Sequence, residues 1–571
     1  MPGDHASAEL LAAMSSLLLS VRDAPLRFET DGVEHVRSIQ SGIVDQLSDY
    51  ILPRLVQLDA PLLAVVGGST GAGKSTLVNS LVRERVTESG VLRPTTRSPV
   101  LVHHPDDAEW FRPDRILPDL PRTTEAGNQT YGLRLASTTN IPKGLAILDA
   151  PDVDSIDKGN RDLATQLLAA ADLWLFVTSA ARYADQVPWD HLRHAAERST
   201  SVAVVLDRTS DEALMEVRGH LARMMTSRGL SDSPLFTVPE CSLDADGLLP
   251  VEAVSSMIGW LQELAADPDA RQMVVHRTLD GAVRQLVLRT HDVADAMDAQ
   301  IEIAQTLDGA VEGPYRSVLE DVSARTADGT LLRGEILATW REFVGTGELL
   351  SSVEEKVSRI RDRFVGGMTG KRTRSTELVE ATESALRSLL TERAEATAEQ
   401  VSRSWGTTDS GRAVLDAHPG LTRAAPDFRV RAERIVHDWR QGVDELVRAQ
   451  GADKRMSGTF LALGAQGVAA ALMVVMLARD ADPTTTDSTV AAGRKLLDAV
   501  FGAETVDELL DSVHTDLELR SAALFESEQL RFLTAVESPD SLKTHQAAVR
   551  ESARRAEYAR HADFLNGETT S

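Results

Sequence analysis

Two kinds of apolar spacing divide this chain. Between residues 62 and 264 the apolar residues come in short continuous runs: Leu62–Val66, Val100–His103, Tyr131–Ala136, Leu145–Leu148, Leu173–Val177, Val202–Leu206 and Leu235–Val238. Runs of this length without polar alternation predict strands buried on both faces. Helical spacing between them predicts an α/β domain, a mostly parallel sheet with helices on both faces. Outside this region apolar residues recur at helical intervals. Leu10, Leu11, Met14, Leu17, Leu18 and Val21 give an amphipathic helix over 6–22. Ile39, Ile43, Leu47 and Ile51 give a second over Val33–Leu52, which Pro53 should end or kink. Beyond Asp267 helices are expected over roughly 267–307, 313–345, 347–365, 373–405, 425–450, 500–536 and 540–564, with breaks at Gly313-Pro314, Gly366-Gly367 and Pro419-Gly420. Three parts follow. Residues 1–60 are helices that pack with the helical region, 61–266 are the α/β domain, and 267–571 are a long helical bundle or stalk.

One stretch breaks the helical pattern by having no polar face. Ser457 to Ala478 carries no charge, and as a helix its 22 residues would span about 33 Å, close to a bilayer's hydrocarbon thickness. Lys454 and Arg455 flank one end and Arg479 the other, and small residues recur four apart within it. A single crossing would export the polar tail beyond Asp480. A hairpin-like paddle is therefore expected, in which Leu496, Leu497, Val500 and Phe501 lie in the interface. The other reading is a small-residue helix buried inside the bundle.

Composition narrows the function classes. With 571 residues the chain exceeds one core, and the scarcity of aromatic residues (4%) beside abundant Ala, Leu, Arg and Glu favours helix. The net charge of −26 opposes general nucleic-acid binding, which needs a basic surface. Cys241 is the only cysteine, so no intramolecular disulfide forms. Asp4 and Glu9 precede the first leucines where a signal peptide would be basic, which points to the cytoplasm, at the inner face of the membrane if the apolar stretch inserts.

The chemistry begins at the end of the first apolar run. Gly68, Ser69, Thr70, Gly71, Ala72, Gly73, Lys74 and Ser75, followed by Thr76, read G-x-x-x-x-G-K-S between a strand and a helix. That is the phosphate-binding P-loop: glycines let backbone N–H groups converge on a polyphosphate, and the helix N-terminus adds favourable partial charge. Lys74 would reach the β and γ phosphates and Ser75 would coordinate Mg²⁺. Thr96, in Arg93–Pro99, is the candidate for a loop threonine that senses the terminal phosphate and binds Mg²⁺. Asp149 ends the run Leu145–Leu148 as a Walker-B carboxylate would, giving Lys74, Thr96 and Asp149 as catalytic candidates and Ser75, Thr96 and Asp149 as metal candidates. Asp207 and Arg208, after Val202–Leu206, are placed to touch or stack on the base.

In this order the motifs resemble those of a translation-factor-type GTPase domain. Followed by a long helical remainder, they resemble the bacterial dynamin-like and related large GTPases, actinobacterial members included. The resemblance implies GTP as ligand and substrate with Mg²⁺, membrane association, and self-association or a partner GTPase. The chain departs from the family pattern in four places, one of them Gly71 where dynamins carry a P-loop serine. Asp152 stands where D-x-x-G has glycine, Val153 where small GTPases have glutamine, and Asp207-Arg208-Thr209-Ser210 where the guanine motif ends in aspartate. The expected function is a membrane-associated dynamin-like GTPase with slow intrinsic turnover. The alternative is a soluble nucleotide-dependent switch or scaffold that binds a protein partner.

Overall fold

The computed structural model describes residues 2–562 except 89–98, 113–116, 118–119, 124–131, 154–157, 185–188, 190–191, 194–200, 211, 345–367, 452–457 and 483–487. Thr96 therefore lies outside the described residues, as does the helix expected over 347–365. The chain forms two compact units, residues 1–299 with 542–571, and residues 300–541.

The first unit is built on an eight-stranded sheet. Its strands are β1 Leu62–Gly68, β2 Val100–His103, β3 Arg122–Thr123, β4 Leu133–Ser137, β5 Leu145–Asp149, β6 Leu173–Ser179, β7 Ser201–Thr209 and β8 Leu235–Pro239. The spatial order is β3-β4-β2-β5-β1-β6-β7-β8. All neighbours are parallel except β2 and β5, which run antiparallel with Val100 opposite Asp149 and His103 opposite Ala146. Every residue of β1 is buried, and alternate residues feed two cores, one on each face. Leu62, Ala64 and Val66 pack with Leu77, Val78 and Leu81 of the helix Lys74–Val82 and with Val254, Met257 and Leu261 of the helix Val251–Ala266. Leu63 and Val65 face the opposite core. There they join Leu10, Met14 and Leu17 of the helix Pro2–Arg22, and Val549, Ala553 and Ala556 of the helix Pro539–Arg560. The hydroxyls of Ser20 and Ser552 are 2.5 Å apart across this contact.

The helix expected to end or kink at Pro53 does neither simply. Val33–Gln46 passes into a π-helical turn at Leu47–Ile51 and continues as Leu52–Val56, with Pro53 in the first turn of that last piece. A residue without an N–H fits where the hydrogen-bond register changes. Tyr50 and Arg54, from this region, both bind buried Asp172 just ahead of β6, at 3.1 Å each. Asp172 also accepts the β1 amide of Leu63 at 2.8 Å.

The helix break expected at Gly313-Pro314 is absent: Pro268–Arg325 is one helix, with Pro314, a residue of the second unit, inside it. A mid-helix proline forfeits one backbone hydrogen bond and costs about 3 kcal/mol. Burial of Val311, Tyr315, Val318 and Val322 on one stripe offsets it. Trp405 donates its indole N–H to Leu307 O at 3.0 Å, and Trp439 donates to Val513 O at 2.9 Å. Buried Glu528 accepts from Arg431 and from Arg531.

The apolar stretch near 457–478 is not one straight membrane-length helix. The helix Gly458–Met476 is broken at Gly464, whose φ of 69° and ψ of 168° are non-helical. Residues Val468 to Ala478 are buried inside the unit, and Leu477 O accepts the amide of Gly329 at 2.8 Å. Among the described residues no helix is long and apolar enough to cross a membrane. The expected interfacial arm is also protein core: Leu496, Leu497, Val500 and Phe501 of the helix Ser488–Phe501 are buried, and Arg494 pairs with Asp498 and Asp507.

Candidate functional site

The turn between β1 and the helix Lys74–Val82 is shaped by glycines at positive φ, two of which leave no room for a Cβ. Gly68 has φ of +146°, and a Cβ there would stand 2.0 Å from Val177 O of β6. Gly73, at φ +91°, would place a Cβ 2.2 Å from Asp207 Oδ2. Gly71 is also left-handed (φ 74°). The backbone of residues 68–73 thus wraps at the carboxyl end of the sheet, ahead of a helix N-terminus, in the geometry that collects N–H groups for an anion. Ala72 is buried and its amide closes the turn on Ser69 O at 3.1 Å. Thr70 lies at the turn, and Thr76 follows in the helix.

Lys74 folds back over this turn. Its ammonium donates to Gly68 O at 3.2 Å, to Ser69 O at 3.1 Å, and to the carboxylate of Asp152. Asp152 is held there because the 149–153 segment runs along the turn, with Ala150 N bonded to Val66 O (3.2 Å) and Val153 N to Gly68 O (3.4 Å).

Asp149 sits at the end of β5, with no solvent exposure. Ser75 Oγ and Thr87 Oγ1 each donate to its Oδ2 at 2.7 Å. Burial pushes the Asp149 carboxyl above the ordinary aspartate range; the Ser75 and Thr87 hydroxyls and the nearby Lys74 charge oppose the shift. Its other oxygen, Oδ1, and Ser69 Oγ are buried polar atoms without a hydrogen-bond partner. A hydroxyl and a carboxylate meeting beside a phosphate-type turn, with an unspent carboxylate oxygen, fit Mg²⁺, which takes one or two protein oxygens and completes its shell with phosphate and water.

Thr87 carries no motif and was not a candidate from sequence. Its place is fixed by Asn79, whose side-chain carbonyl accepts the amides of Val86 and Thr87 (2.9 Å each) while its amide donates to Thr87 O at 2.9 Å. The asparagine two turns into a P-loop helix is the signal that could have found it.

Asp207, near the end of β7, is buried against Gly73. Desolvation raises its carboxyl to about 6, partly opposed by the Arg208 amide and guanidinium. Arg208 takes a left-handed conformation (φ 53°), and its half-exposed side chain lies 3.9 Å from Asp207 Oδ2. The structure therefore brings together Lys74, Ser75, Asp149, Asp207 and the turn 68–73.

No protein-family model matches the chain. An Arabidopsis thaliana protein described as a "probable transmembrane GTPase FZO-like, chloroplastic" is 22% identical over 188 residues, 32% of this chain. The match takes in only 19% of that protein's length. Two solved structures of an oligomerised bacterial dynamin pair, described as a mechanism for long-range sensing and tethering of membranes, align over 92% and 96% of this chain and 94% and 95% of theirs. Identities are 9% and 10%, and TM-scores 0.41 and 0.39. The chain thus carries a glycine-rich phosphate-type turn on a mostly parallel sheet, together with a long helical region.

Proposed function

We propose that this chain binds GTP with Mg²⁺ and hydrolyses it slowly, and that nucleotide state rearranges the helical unit to drive self-association, or pairing with a second GTPase, at a membrane. The observation that carries the reading is the convergence of Ser75 and Thr87 on Asp149 Oδ2 beside Lys74 and the 68–73 turn. In this reading the turn amides and Lys74 hold the phosphates. Ser75 and Asp149 would hold Mg²⁺, which would supply neutralisation of the phosphate charge. Thr96 senses the terminal phosphate, and Arg208 stacks on or bonds the base. The 149–153 segment lies against the turn, with its backbone bonded to Val66 and Gly68, so a terminal phosphate held there meets it directly. Val153 in the glutamine position leaves no side chain there to orient a water, which supports slow turnover without assembly.

Calorimetry with GTP and with ATP, each with and without Mg²⁺, tests the binding half; Lys74→Ala should abolish the signal. Phosphate release measured against protein and liposome concentration tests the assembly half, and a rate indifferent to both would sink it. A second reading, a nucleotide-dependent switch acting on a protein partner, is favoured by the burial of Val468–Ala478 within the helical unit. Under that reading liposomes leave both location and turnover unchanged.

A further inference from the structure

Lys74 has three N–H donors and three acceptors already on them. Two are carbonyls of the turn, Gly68 O and Ser69 O, and the third is the Asp152 carboxylate. The carbonyls belong to the backbone that forms the site and cannot leave without dismantling it. Asp152 is the exchangeable partner. Its side chain is only 14% exposed, and the flanking amides of Ala150 and Val153 are tied to β1, so the carboxylate is held against the ammonium and does not sample solvent at random. It also stands three residues after Asp149, close enough to raise that carboxyl's pKa through charge.

We propose that Asp152 competes with the terminal phosphoryl group for Lys74, and so sets the preference of this site between a nucleoside triphosphate and a diphosphate. The inference rests on the nucleotide-binding reading above. A terminal phosphoryl oxygen approaching Lys74 from the Asp149 side meets a carboxylate in its place and a like charge beside it. It must displace a charge-assisted hydrogen bond before making its own. The β phosphate also reaches Lys74, but the turn amides and the helix N-terminus hold it as well, so it depends less on displacing the carboxylate. Asp152 thus weakens triphosphate binding more than diphosphate binding. Its displacement also removes the side-chain tie between the 149–153 segment and Lys74 when a triphosphate arrives.

The test compares affinities for GDP and for a non-hydrolysable GTP analogue, both with Mg²⁺, by calorimetry on the full chain. Asp152→Asn is expected to tighten the analogue by about tenfold, the worth of one charge-assisted bond, and GDP by much less. Asp152→Gly carries the same expectation, so misfolding of one variant leaves the other to decide. Asp152→Glu, which keeps the charge, should retain a wild-type ratio. An unchanged or reduced analogue-to-GDP preference in folded Asn and Gly variants overturns the inference while leaving nucleotide binding intact. If wild type and variants melt cooperatively yet take up neither nucleotide, the nucleotide reading fails and this inference with it.

Discussion

Thr87 Oγ1 lies 2.7 Å from Asp149 Oδ2, sharing that oxygen with Ser75 although no motif marks the threonine. The pairing ties the segment after the P-loop helix to the end of β5. Thr87→Val keeps the shape and removes the donor, leaving a buried carboxylate with one fewer hydrogen bond. We expect a stability loss of about 1.5–3 kcal/mol, together with weaker Mg²⁺ dependence of nucleotide binding. Urea unfolding checks the first and calorimetry the second. Thr87→Ser should restore both.

Asp207 gives a pH signature whose sign follows from its burial. Its carboxyl lies near 6 in the folded chain against 3.8 for the ordinary group. Between those values the folded chain holds a proton that the unfolded chain has released, so this residue lowers stability as pH rises through the window. Asp207→Asn should remove that contribution and leave the variant more stable than wild type above it. A melting-temperature difference that stays constant across the window would contradict the assignment.

Gly68 has no room for a methyl group. A Cβ placed 2.0 Å from Val177 O must push β1 from β6, at about 1–3 kcal/mol. Gly68→Ala should therefore unfold earlier in denaturant as well as lose nucleotide binding. Retention of full stability would mean that the strand ends separate easily.

Leu472 separates the two fates of the apolar stretch. It is fully buried in the helical unit, so Leu472→Ala should cost about 2–5 kcal/mol as core truncations do. Liposome co-sedimentation run on the same variant provides the contrast. Unchanged melting with lost pelleting would return the segment to the bilayer.

Strands were the most legible part of the fold because buried parallel strands are short continuous apolar runs, and seven such runs became strands within a few residues of their expected bounds. The two-residue β3 has too little side chain to leave a pattern. Pro314 misled because a proline's local cost was weighed without the stripe of buried residues around it. The stretch near 457–478 was ambiguous in principle: small apolar residues suit lipid and tight protein packing alike, and only the neighbouring helices decide. The P-loop residues were readable as a set. Thr87 was not, since its placement depends on an asparagine clamp that exists only in three dimensions.

The reversal of β2 has a consequence for wiring. Because β2 runs opposite to β5, it is Val100, its first residue, that sits beside Asp149, with His103 at the distant rim. A strand laid the usual way round would have been entered from the far side of the sheet. Here the strand begins at the same margin where the turn, Lys74 and the buried aspartate meet, so any shift of its first residue falls on the carboxylate's own neighbour.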